Sequence, residues 1–141
     1  MRFMMFVRAN KNIETGALPT KELVAAMGRF NAEMMKAGVL LAAEGLQPSS
    51  KGARITFSRA TRSVTDGPFP DKELVSGFWM IQVKSKSEAV EWARRVPFAD
   101  GEVVEIRQVS EASDFPAEVL PPEDAAREQS MREELRRKHG A

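Results

Sequence analysis

The sequence predicts an α+β fold, a ferredoxin-like split βαβ with an added hairpin, followed by a C-terminal helical tail. Three observations lead there. Runs of strand and helix character follow one another in the order β-α-β-β-β-β-α-β. The first run, Arg2–Arg8, is apolar on both alternating faces, with Phe3, Met5 and Val7 on one and Met4 and Phe6 on the other. Such a strand belongs in the interior of a sheet with both faces covered. Thr20 and Ser85 each stand just ahead of apolar residues at helical spacing, where a hydroxyl satisfies the first free backbone N–H groups of a helix.

The elements follow in order. Residues 10–19 read as a loop, broken by Gly16 and Pro19. Thr20 caps a helix running to about Ala37, with Glu22 in the first turn, where a negative charge meets the positive end of the helix dipole. Leu23, Met27, Phe30 and Met34 form its buried stripe, and Gly38 ends it. The methionines read as core packing. Val39 to Leu46 is a second strand, with Glu44 its one charge. After a turn over residues 47–52, Arg54, Thr56 and Ser58 alternate with Ile55 and Phe57, as in a strand with one wet face. A short strand spans Arg62 to Thr65, and a strong one spans Gly77 to Val83. Ser85 and Glu88 match a capping box, and the helix they open buries Ala89, Trp92, Ala93 and Val96 before Pro97 stops it. Glu102 to Val109 is the last strand, with Val103, Val104 and Ile106 apolar. The domain is thus expected over residues 1–110 and the extension over 111–141. Three prolines make 114–122 loop-like, and Glu123 to Lys138 is charged and helix-permissive with a poor apolar stripe. That stripe fits either a solvated helix or a clasp on a partner subunit.

Composition narrows the function. Lys and Arg number 21 and Asp and Glu 20 in 141 residues, so no general attraction to nucleic acid or anionic membrane is expected. Cysteine is absent, which excludes disulfides, thiol catalysis and thiolate metal sites. Tyrosine is absent too, and the single histidine is His139, near the end of the tail, a poor place for a general base. No early apolar run is long enough to span a membrane, and Arg2, Arg8 and Lys11 interrupt the start, without a signal-peptide pattern. A soluble cytoplasmic protein is the expectation, with no cofactor and no metal.

Asp66-Gly67-Pro68-Phe69 is the densest motif in the chain. Asp-Gly and Gly-Pro are both turn dipeptides. Gly67 supplies a backbone conformation other residues resist, Pro68 fixes the next dihedral, and the Asp66 side chain is expected to bond nearby backbone N–H groups as in an Asx-turn. Phe69 plugs the turn into the core. A purely structural role explains all of this. The functional reading starts from the same geometry: the turn sets Asp66 at a strand end with Lys72 and Glu73 close behind, Glu44 lies on the apolar second strand, and Arg54 starts the third. A carboxylate–cation cluster beside an apolar pocket holds a small polar molecule and also suits acid–base work. Asp66 and Glu44 are the catalytic candidates, and Arg54, Lys72 and Glu73 the ligand-binding candidates.

The stretch Val64-Thr65-Asp66-Gly67-Pro68-Phe69-Pro70-Asp71-Lys72-Glu73-Leu74-Val75-Ser76-Gly77-Phe78 resembles the signature of YCII-related proteins, in the branch named for its DGPF motif. The likeness extends over roughly Met1 to Val109 and includes Glu44-Gly45-Leu46-Gln47-Pro48, Gly77-Phe78-Trp79, Glu88-Ala89-Val90-Glu91-Trp92-Ala93 and Glu102-Val103-Val104-Glu105-Ile106. It implies a dimeric α+β barrel, in which two four-stranded sheets pack face to face with helices on their outer sides. The implied pocket lies between sheet and helices or at the dimer interface. Some members of the wider group are proposed enzymes built around a His–Asp pair, and one acts as a dehydrochlorinase in chloroaromatic breakdown. With no histidine before the tail, that pair maps onto no residue of this chain. Some DGPF proteins are encoded beside extracytoplasmic-function sigma factors, which implies a sensing or regulatory role.

Three readings remain at this level: a homodimer binding a small polar or aromatic-derived ligand, a cofactor-independent isomerase or lyase using carboxylates, and an interaction module for a partner such as a sigma factor.

Overall fold

The computed structural model describes residues 1–70 and 72–140. They form two compact units, Met1–Val109 and Ser110–Ala141. In the first, four strands, β1 (Arg2–Arg8), β2 (Leu40–Gly45), β5 (Val75–Gln82) and β6 (Val104–Gln108), make one antiparallel sheet in the order β2-β5-β1-β6. β3 (Ala53–Phe57) and β4 (Arg62–Asp66) make a separate two-stranded hairpin inserted between β2 and β5. With the hairpin set aside, the order is that of the ferredoxin-like fold.

Helices α2 (Lys21–Lys36) and α3 (Lys86–Arg94) belong to one face of the sheet. Thr20 Oγ1 accepts from the Leu23 N–H at 3.1 Å, and Gly38, with φ +73°, ends α2 in the left-handed conformation that glycine adopts without steric cost. Ser85 Oγ accepts from the Glu88 N–H at 3.2 Å, while the Glu88 carboxylate takes the N–H of Lys84 rather than that of Ser85. The core under the helices holds Phe3, Met5, Trp79, Ile81, Phe30 and Met34. Phe30 meets Trp79 edge-on at 5.6 Å, and the indole N–H donates to Asn31 Oδ1 at 2.8 Å, so the buried polar atom has its partner.

Several elements differ from the sequence-based expectation. Asn10 caps a short helix, α1 (Lys11–Glu14), by accepting from the Ile13 N–H at 2.9 Å, where a plain loop was expected. Val103 precedes β6 and is exposed. β3 is wet on both faces rather than one, and β4 is exposed along its length too: Ile55, Phe57 and Val64 are 51%, 70% and 67% exposed. β1 is central as expected, but this chain buries only its Phe3, Met5 and Val7 face; Met4 and Phe6 stay half-exposed.

The second unit carries a 3-10 turn at Ala112–Asp114 and helix α4 (Pro122–His139). No residue of α4 is buried. Its surface is ordered by local charge pairs, Arg127 with Asp124, Arg132 with Glu128 and Lys138 with Glu134.

Candidate functional site

The Asp66–Phe69 turn is fixed from outside itself. Ser49, in a 3-10 turn at Ser49–Lys51, donates both its N–H and its hydroxyl to the Glu14 carboxylate, the former at 3.0 Å. Ser49 Oγ in turn accepts from the Phe69 N–H at 3.0 Å, and the Gly67 N–H donates to the Gly52 carbonyl at 3.0 Å. α1, the 3-10 turn and the Asp66–Phe69 turn are thereby latched together. A Cβ placed on Gly67 would lie 1.8 Å from the Ser49 carbonyl oxygen. Glycine is therefore required there by close backbone approach, not by a positive φ, which corrects the sequence-based argument. The Gly67–Pro68 peptide is cis.

Asp66 closes β4 opposite Ala53 and is exposed. Among the described residues its carboxylate makes no hydrogen bond, so the expected Asx-turn bond is not formed; Ser49 takes its place as the organising side chain. Phe69 is half-buried, and the Arg54 guanidinium lies over its ring at 4.0 Å, a cation–π contact that holds Arg54 at the base of the hairpin. Glu44 pairs in register with Phe78 on the sheet face away from the helices. The five sequence-selected residues thus fall in three places: Arg54 and Asp66 on the hairpin, Glu44 on the sheet, and Lys72 and Glu73 in a cleft at the sheet end.

That cleft, of about 330 Å³, is lined by Arg8, Asn10, Lys72, Glu73, Glu102 and neighbouring backbone. Arg8 ends β1 and is held on several sides. It donates to Glu105 Oε1 at 2.8 Å and to the Glu73 carbonyl at 3.0 Å, and its guanidinium is 3.9 Å from the Glu73 carboxylate. Asn10 uses Oδ1 to cap α1, which leaves Nδ2 to donate to Glu102 Oε1 at 2.8 Å. Lys72 has no ion-pair partner among the described residues.

Beside the cleft, a second cavity of about 350 Å³ opens between α3 and β6. Val90, Ala93, Val96, Phe98, Val104 and Ile106 supply its apolar walls. Both volumes sit at the lower end of the roughly 300–1,000 Å³ typical of small-molecule sites. The arrangement can fix an anion at cationic side chains and lay an apolar body along the groove.

A family model described as YCII-related domain matches residues 1–113. The chain belongs to the YCII-related domain family. No curated protein matches it significantly. In this YCII-related chain, sequence reasoning selected Lys72 and Glu73 but missed Arg8, Asn10 and Glu102. Arg8 and Asn10 carried one legible signal, a charged strand end with a helix-capping residue two positions on. Nothing in the sequence pairs Asn10 with Glu102, which are 92 residues apart.

Proposed function

We propose that this YCII-related protein, read as a member of the DGPF branch, is a cytoplasmic homodimer that binds a small polar or aromatic-derived acid in a sensing or regulatory role. The observation that carries the reading is the junction of a cation-bearing cleft, with Arg8 and Lys72, and an apolar groove, with Phe98, Val104 and Ile106. Arg8 is held by Glu105 and the Glu73 carbonyl, and Lys72, with no ion-pair partner among the described residues, is the cation left for a ligand. A binding role is favoured over carboxylate catalysis because Asp66 and Glu44, the two candidate bases, line neither cavity.

The dimer reading is supported by the sheet face away from the helices. There Phe6 lies in register between Phe78 and Glu105, and Met4 between Met80 and Arg107, an apolar centre edged by charge. A second copy laid on this face supplies the cover that a two-faced apolar strand needs.

The test is a thermal-shift panel of small aliphatic and aromatic carboxylic acids against the wild-type protein and Lys72→Gln. The reading expects at least one acid to raise Tm by mass action and the rise to shrink in the variant. A panel in which no acid stabilises the protein overturns it.

A further inference from the structure

Among the described residues, Glu102 is the one side chain shared by the polar cleft and the apolar groove. It is half-buried at their junction, and Oε1 accepts from Asn10 Nδ2 at 2.8 Å. No cation pairs with it among the described residues, whereas the neighbouring Glu105 has Arg8 at 2.8 Å. Arg8 is already committed to Glu105 and to the Glu73 carbonyl, so the cleft offers Lys72 as its uncommitted cation and Glu102 as its uncommitted anion. On the far side of Glu102 the walls are mostly aliphatic and aromatic, with Arg94 among them, itself 3.8 Å from the Glu91 carboxylate.

A plain acid lying across this junction would satisfy Lys72 and press its apolar body against the Glu102 carboxylate, desolvating a charge that only the Asn10 amide meets. A plain amine would satisfy Glu102 and leave Lys72 unmet. A ligand carrying both charges on one carbon, with an apolar substituent, satisfies all three features. We propose that the site takes a free α-amino acid with an apolar side chain. Its carboxylate pairs with Lys72, its ammonium with Glu102 in a charge-assisted hydrogen bond, and its side chain lies in the groove beside Phe98, Val104 and Ile106. Cavities of about 350 and 330 Å³ suit a ligand of this size. This inference rests on the small-ligand reading given above and names the ligand class of the same site.

The test is calorimetric titration of the full chain with three matched probes: L-phenylalanine, hydrocinnamate, which lacks the ammonium, and phenethylamine, which lacks the carboxylate. L-phenylalanine is expected to bind at least about tenfold tighter than either analogue. Glu102→Gln should erase its advantage over hydrocinnamate, and Lys72→Gln its advantage over phenethylamine, with both variants unchanged in circular dichroism. Hydrocinnamate binding as tightly as L-phenylalanine overturns the amino-acid assignment and leaves the acid-binding reading standing. Phenethylamine binding as tightly as L-phenylalanine overturns the assignment and the role of Lys72 together. If none of the three binds, both the assignment and the acid-binding reading fall.

Discussion

At Gly67 the backbones of two turns touch, and an added methyl group would lie 1.8 Å from the Ser49 carbonyl oxygen. Gly67→Ala must push one turn off the other. Overpacking typically costs about 1–3 kcal/mol, and backbone is less able to give than a side chain, so a loss near or above the top of that range is expected as a lower urea midpoint at constant slope. Ser49→Ala removes the acceptor of the Phe69 N–H and the hydroxyl that donates to Glu14, leaving only the backbone N–H of residue 49 on that carboxylate, with an expected loss of about 1–3 kcal/mol by the same measurement. Asp66→Asn touches neither contact and should stay within about 0.5 kcal/mol of wild type. If Asp66→Asn proves as damaging as Gly67→Ala, the account of the turn is wrong. The glycine was legible in the sequence as a turn residue. Its physical reason was not, because Ser49 lies outside the motif and no local pattern marks which backbone will approach.

Helices α2 and α3 were legible because two independent signals agree in each, a capping hydroxyl and an apolar stripe at helical spacing. α1 was hidden because four residues are too few to show a stripe, and only its Asn10 cap speaks for it. Strands β1 and β5 alternate buried and half-buried residues along their centres, and their apolar content announced them. The hairpin was legible as strands but not as an exposed arm, since alternation shows which residues share a face and not whether anything covers it. The same contrast separates the helices energetically. Phe30 on α2 packs on Trp79 and Trp92, so Phe30→Ala should cost about 3–5 kcal/mol. α4 buries nothing and relies on exposed i,i+3 and i,i+4 pairs worth a few tenths of a kcal/mol each. Hydrogen exchange should therefore show the amides of 122–139 exchanging well before those of 21–36. Equal protection of the two helices would mean that α4 has cover beyond its local pairs.

For the whole molecule, the two-faced apolar β1 and the half-exposed Met4, Phe6, Phe78 and Met80 argue for a second copy on the sheet. Phe6→Glu places a charge at the centre of that face and should convert a dimer to monomer in sedimentation equilibrium while leaving the fold intact. A wild-type protein that sediments as a monomer at high concentration would contradict the dimer. Among the described residues no helix is long and apolar enough to cross a membrane. The family and the sheet could be read from the chain because they rest on strand order and on motifs in register. The cleft could be read only through Lys72 and Glu73, because Arg8 and Asn10 reach it from one segment and Glu102 from another, 92 residues beyond Asn10, and only the sheet brings the two together. The most direct test of the proposed site is an amide-resolved NMR titration of the full chain with L-phenylalanine and hydrocinnamate. The account predicts shifts concentrated at residues 8–10, 72–73 and 98–106. Shifts concentrated on the hairpin and around Glu44, or no shifts at saturating probe, would contradict it.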